Sequence, residues 1–141
     1  MQPGSIAPKT MQLRVTVQGR NMLFLIDSGS SACFLDQKQA TQLQGGIPAR
    51  KTSVKVAGGA LLSSSLSFPA LEWVAQGHQF ADCFRVLALE SYDGIVGLDW
   101  LVKHSPMTTH WGERWLAFVH QGTRIVLHGS DEDGSSCWNC N

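Results

Sequence analysis

The sequence predicts a single all-β domain with one or two short helices. Short apolar runs recur at close intervals and are separated by glycine-containing turns. Several of them alternate apolar with polar residues, the period of a strand with one wet face. Only the stretches after Asp36 and after Gly97 read as helical, and both are short. This pattern argues a closed or sandwiched all-β architecture.

Leu13, Val15 and Val17 alternate with Gln12, Arg14 and Thr16, which predicts a half-buried first strand. A turn at Gln18-Gly19-Arg20-Asn21 leads into residues 22–27, an apolar run without alternation and so a strand buried on both faces. Asp36 is placed to cap a short helix, with Gln39 completing a capping box, Ala40 and Leu43 on its apolar side and Gly45-Gly46 as its stop. Val54 and Val56 rise to Ala57-Gly58-Gly59-Ala60 and Leu61 onward returns, a glycine-tipped hairpin. Residues 71–74 and 79–87 flank Gln76-Gly77-His78 as another hairpin. Residues 92–97 form a short strand, and residues 98–104 a short helix stopped by Ser105-Pro106. Residues 107–110, 115–119 and 123–127 are the closing strands.

The chain has 141 residues, 43% of them hydrophobic, enough for one buried core. Residues 1–10, with Pro3, Gly4 and Pro8, read as an extended N-terminal segment. Residues 11–128 read as the folded domain, and the small, acidic residues 129–141 as a flexible tail. Basic and acidic side chains balance at 11 each and charged residues are only 16%, so neither disorder nor a nucleic-acid-binding face is supported. No apolar run approaches the roughly 20 residues that cross a bilayer, so no membrane association is expected. The cysteines, at 33, 83, 137 and 140, read as reduced thiols of an intracellular, cytoplasmic protein.

The informative stretch is Leu23-Phe24-Leu25-Ile26-Asp27-Ser28-Gly29-Ser30-Ser31. A carboxylate at the end of an apolar strand is costly to bury alone, so Asp27 needs a partner or a use. Taken by itself, Asp-Ser-Gly reads equally as an ordinary turn. Asp93-Gly94-Ile95-Val96-Gly97-Leu98-Asp99-Trp100-Leu101 changes that balance, because it places an apolar strand ending in glycine directly before a short helix. Together the two stretches resemble the retropepsin-like aspartic proteases. In that family an apolar-apolar-Asp-(Ser/Thr)-Gly loop is crossed by a later apolar-apolar-Gly stretch. The segment from Tyr92 to Leu101, then His104-Ser105-Pro106 and Trp111, is similar to the proteases of gypsy-type LTR retrotransposons of plants. The resemblance covers residues 13–129.

The resemblance implies a single-lobe acid-protease barrel and an aspartic endopeptidase that cleaves a retroelement polyprotein, with no metal or organic cofactor. It makes Asp27 the catalytic residue. Ser28 would hydrogen-bond across a dimer axis, Gly29 would leave room for substrate backbone, and Ser30 would donate to the outer oxygen of Asp27. Ala57, Gly58, Gly59 and Ala60 would form a flap over the substrate, and Gly29, Ser31, Ile95 and Val96 would line its binding site. Retroviral members carry acidic residues where this chain has Ser31 and Ala32, and Arg where it has Leu98. Both halves of that ion pair are missing together, so no charge is stranded, but retroviral substrate preferences do not carry over.

Such an enzyme uses two facing carboxylates and one water. The ionised carboxylate takes a proton from the water, and the protonated one hydrogen-bonds the substrate carbonyl; aspartic proteases are the standard example of a shared proton. Two charged carboxylates ~3 Å apart at an effective dielectric of ~20 repel by on the order of 5 kcal/mol, which suppresses double ionisation. This chain has one Asp in the required context. Asp36 is a helix cap, Asp82 lies within a strand, Asp93 is followed directly by glycine, Asp99 opens a helix, and Asp131 and Asp133 fall in the tail. The second carboxylate is therefore expected from Asp27 of another copy, in a symmetric homodimer acting on a polypeptide.

Cys33 reads as a small core residue, and Trp73, Trp100, Trp111 and Trp115 as core or rim aromatics. Cys137-Trp138-Asn139-Cys140 is half of a zinc-knuckle spacing with no further ligand after it, so no metal is expected. A rival reading keeps the fold and drops the chemistry: a domesticated or decayed retropepsin serving as a dimerisation or peptide-binding module. The intact Asp27-Ser28-Gly29 and Ile95-Val96-Gly97 favour the enzyme.

Overall fold

The computed structural model describes residues 10–55 and 61–130. In chain order the elements are β1 (Thr10–Val17), β2 (Arg20–Asp27), β3 (Cys33–Asp36), α1 (Gln37–Ala40), β4 (Ile47–Lys55), β5 (Leu61–Ala75), β6 (His78–Leu87), β7 (Gly94–Val96), α2 (Leu98–Lys103), β8 (Thr108–His110), β9 (Trp115–His120) and β10 (Thr123–His128). The main sheet runs β1-β2-β7-β3-β6-β5-β4, and a Thr16↔Val74 pairing of β1 with β5 curls it into a barrel. A second sheet, β10-β9-β8, closes one end.

The hairpins β1–β2, β5–β6 and β9–β10 all turn on a Gln-Gly pair. Gln18 and Gly19, Gln76 and Gly77, and Gln121 and Gly122 each have positive φ at both positions, the two-residue geometry whose twist matches that of the flanking strands. The turn at residue 18 is thus tighter than the four residues expected, and Val17 pairs directly with Arg20.

The core lies where the strands' inward faces meet. Leu13, Phe24, Ile26, Leu35, Trp73, Phe84, Val96, Trp100 and Leu127 are fully enclosed, and each such side chain contributes roughly 1.5–3 kcal/mol of burial free energy. The rings of Trp73, Phe80, Phe118 and Trp100 form one aromatic cluster, with Trp100 centred 5.6 Å from Trp73 and 5.2 Å from Phe118. The small sheet adds Leu116, Phe118 and Ile125 to the same core.

Three expectations change. β3 was not foreseen: Cys33-Phe34-Leu35 is a short run after a serine-rich loop, and only its place between β6 and β7 makes it a strand. β5 is one long strand where two were expected. It passes through Pro69 by an irregularity in its pairing with β6 between Phe68 and Leu71, where a residue lacking an N–H is tolerated. α1 ends at Ala40, well before Gly45, and its capping box does not form. Asp36 accepts from the Lys38 N–H at 3.2 Å, but Gln39 turns away to Asp93. The Asp36 N–H that Gln39 would have capped is already given to the Asp93 carbonyl at 2.9 Å.

The glycine tip at Ala57, Gly58, Gly59 and Ala60 lies outside the described residues, as do Cys137 and Cys140. The arms of that hairpin are paired as far as Lys55↔Leu61. The β10 ladder ends at His128, after which the Gly129 N–H donates to the Arg114 carbonyl and the Ser130 N–H to that of Gln12.

Candidate active site

β2 carries Asp27 as its last residue. Strand alternation sends Met22, Phe24 and Ile26 into the core and Leu23, Leu25 and Asp27 to the opposite face. The turn that follows holds the carboxylate. The Ser30 N–H donates to the Asp27 carbonyl at 3.1 Å, and the Gly29 N–H donates to Asp27 Oδ1 at 2.8 Å. Asp27 Oδ2 has no hydrogen-bond partner among the described residues, and the side chain is half-buried. One oxygen is thus fixed by backbone and the other is left for an outside group. Gly29 packs closely on the carboxylate: a Cβ at 29 would sit 3.2 Å from Asp27 Oδ1, so one or the other would have to shift by a few tenths of an ångström.

The loop after Asp27 is clamped from behind by the end of β7. β7 runs parallel to β2, pairing Leu25 with Ile95 and Ile26 with Val96. Beyond it, the Leu98 N–H donates to the Ser30 carbonyl at 2.8 Å. Gly97 packs so tightly that an added Cβ would stand 2.3 Å from the Ala32 oxygen and 2.6 Å from that of Ser30. Cys33 is buried just past this crossing. Burial pushes its thiol up to about 11, against backbone hydrogen bonds at Gly97 and Trp100 that pull it down.

Asp93 ties these pieces together. Its Oδ2 accepts the Leu23 N–H at 2.8 Å, its Oδ1 accepts Gln39 Nε2 at 3.0 Å, its N–H donates to the Leu23 carbonyl, and its carbonyl accepts the Asp36 N–H. Asp36 in turn accepts the Leu89 N–H at 2.8 Å. Sequence reasoning set Asp93 aside as non-catalytic and missed this role. No local pattern announces it, because its side-chain partners Leu23 and Gln39 lie 70 and 54 residues away in the chain.

The structure puts Asp27 and Ile95 on one face of the sheet, with Ser28 and Gly29 in the turn that follows Asp27. Ile95 sits beside Leu25 in register and is half-buried there, while Gly29 and Ser31 are exposed. Two expectations fail. Val96 cannot line a binding site, because it alternates inward from Ile95 and is wholly enclosed in the core. Ser30 does not donate to Asp27; its hydroxyl donates to the Ala32 carbonyl at 2.8 Å and closes the loop on itself.

The PEG10/RTL1 protease domain family matches this chain over residues 23–124, from the apolar run before Asp27 into the last strand. The chain belongs to the PEG10/RTL1 protease domain family. Solved structures agree on the fold. The retroviral protease-like domain of Ddi1 from Leishmania major superposes with a TM-score of 0.70 at 15% identity, over 90% of this chain and 98% of that one. EIAV protease in complex with the inhibitor HBY-793 gives a TM-score of 0.51 at 18% identity, over 70% of this chain and 90% of that one. No curated protein matches the chain.

Away from Asp27, Asp36, Asp82 and Asp93 serve the framework of this PEG10/RTL1-type domain. Asp82 accepts Trp73 Nε1 at 2.8 Å and pairs with Lys103 Nζ, pinning α2 to β6 beneath the aromatic cluster. His104, at the end of α2, is wedged among Phe80, Trp100, Phe118 and His120.

Proposed function

We propose that the chain is an aspartic endopeptidase of retroelement origin, active as a homodimer in which Asp27 of each copy faces the other. The carrying observation is the state of Asp27. Its Oδ1 is held by the Gly29 N–H, its Oδ2 is unengaged among the described residues, and its loop is locked by Gly97. One such carboxylate cannot both activate a water and donate to a carbonyl; two can, with one proton between them. In the dimer the ionised Asp27 takes a proton from the attacking water and the protonated one hydrogen-bonds the scissile carbonyl. Collapse of the tetrahedral species then returns a proton to the leaving amine. Substrate lies extended across the face that carries Leu25 and Ile95, held mainly through its backbone. The pattern of Tyr92 to Leu101 with His104-Ser105-Pro106 and Trp111 supports a gypsy-type origin and a polyprotein substrate.

The test is cleavage of polyprotein-junction peptides near pH 5 by wild type, by Asp27→Asn and by mixtures of the two. Wild type is expected to cleave and to be blocked by a statine-type inhibitor, Asp27→Asn to be inert, and the mixtures to lose more activity than dilution explains. Cleavage that persists in Asp27→Asn removes the mechanism. A stable dimer that cleaves nothing favours the rival reading, a peptide-binding module.

A further inference from the structure

We propose that Arg85 makes this site select peptides bearing an acidic side chain a few residues from the scissile bond. The inference rests on the proteolytic reading above and names the substrate class. It starts from strand register. On the face of the sheet that carries Asp27, Leu25 is beside Ile95, Ile95 beside Phe34, and Phe34 beside Arg85. Directly opposed residues share a face, so these four form one row across β2, β7, β3 and β6.

The row has a distinct character. Leu25 is 9% exposed and Phe34 5%, yet neither belongs to the main core cluster. They back that face of the sheet as nearly enclosed apolar residues, with half-buried Ile95 between them as the more accessible one. The row begins beside the catalytic carboxylate and ends on a cation. Three strand spacings of about 4.8 Å put Arg85 roughly 14 Å across the sheet from Leu25, the length of about four residues of extended peptide.

Arg85 is itself half-buried, and its Nη1 donates to Thr52 Oγ1 at 3.2 Å. No carboxylate pairs with it among the described residues, where the ion pair present joins Lys103 to Asp82. A guanidinium carries five N–H donors in a planar fork that fits a carboxylate two bonds at a time. One hydroxyl leaves most of that fork unused, in a setting where water is partly excluded and an unmatched charge is costly. A peptide strand crossing this row, touching half-buried Ile95 and Arg85, would bring a Glu or Asp side chain to the guanidinium. In a twofold dimer the same row recurs on both sides of the cut.

The experiment compares matched peptides carrying Glu or Gln at successive positions either side of the cleaved bond. One charge-assisted hydrogen bond corresponds to about a 10-fold advantage in kcat/KM, so wild type is expected to prefer Glu by about that factor at the positions three to four residues away. Arg85→Gln, which keeps a donor for Thr52, is expected to erase the preference, and Arg85→Glu to turn it toward Lys. Binding of the same peptides to the Asp27→Asn dimer, read by fluorescence anisotropy, should show the same ranking without turnover. Equal use of Glu and Gln by wild type, or a preference that survives in Arg85→Gln, overturns the inference. Failure to cleave any peptide overturns the proteolytic reading instead, and the binding comparison then judges Arg85 by the same criteria.

Discussion

Gly97 presses directly onto the carbonyl of Ala32, leaving 2.3 Å where a Cβ would have to stand. The second atom in the way is the Ser30 oxygen, also backbone, so no flexible side chain can yield. A Gly97→Ala protein must move either the start of α2 or the loop that shapes Asp27. The expected outcome is a loss of about 3 kcal/mol in urea unfolding, at the upper end of what overpacking costs. Cleavage of a junction peptide should fall further than the lost folded fraction accounts for. Wild-type stability in Gly97→Ala would show that the crossing is looser than this packing.

Asp93→Ala is expected to destabilise without any catalytic role for the residue. It strips the acceptor from the Leu23 N–H on β2 and from Gln39 on α1. Fully buried donors left without partners cost about 1–3 kcal/mol each, and these part-buried ones fall toward the lower end. Asp93→Asn keeps one oxygen and should lose less. Thermal unfolding at matched protein concentration separates the two variants, and equal melting temperatures would refute the linking role.

Asp27→Asn should behave in the opposite way. Among the described residues its carboxylate accepts only the Gly29 N–H, and an amide oxygen accepts the same bond. The fold should stay within about 1 kcal/mol of wild type, the size of one ordinary hydrogen bond, while peptide cleavage disappears. A large drop in stability would mean that Asp27 is a framework residue like Asp93.

The contrast between these two acids marks what the sequence made legible. Alternation at Leu13, Val15 and Val17, the unbroken run before Asp27 and the Gln-Gly turns are local signals, and each forms where local physics puts it. β3 depends on β6 and β7 for its partners, so a four-residue apolar run could not announce it. The place of Asp27 at the end of β2 was legible, because an apolar run with a terminal acid stands out in one dimension. Asp93 was not, because its partners at Leu23 and Gln39 meet it only in three dimensions. Val96 misled for a similar reason: the motif marks it together with Ile95, but alternation puts the two on opposite faces.

Cys33 should be chemically silent. Burial holds its thiol at about 11, so almost none is thiolate at pH 8. Iodoacetamide under native conditions is expected to label Cys83, which is exposed, and to spare Cys33 until denaturant is added. Peptide mass spectrometry reads this directly. Early labelling of Cys33 would mean that the crossing at Gly97 opens readily, since the thiol lies just behind it.

His104 sets an acid limit on the fold. Its ring lies 4.9 Å from Trp100 and 4.8 Å from Phe118, with His120 5.4 Å away, and its Nε2 is buried without a hydrogen-bond partner among the described residues. Burial first, then the positive charges of His120 and Lys103, lower it from 6.5 to about 4, while Asp82 pulls the other way. Between those two pH values the unfolded chain binds a proton that the native state refuses. Stability from this site is therefore complete above about pH 6.5, falls as the pH drops, and levels off below about 4. The cleavage proposed near pH 5 would fall on that slope. His104→Phe keeps a ring in the aromatic cluster and removes the titrating group. Its melting temperature should decline less than that of wild type between pH 7 and pH 4, and the acid limb of cleavage should extend lower. Parallel declines in the two proteins would place the acid sensitivity elsewhere.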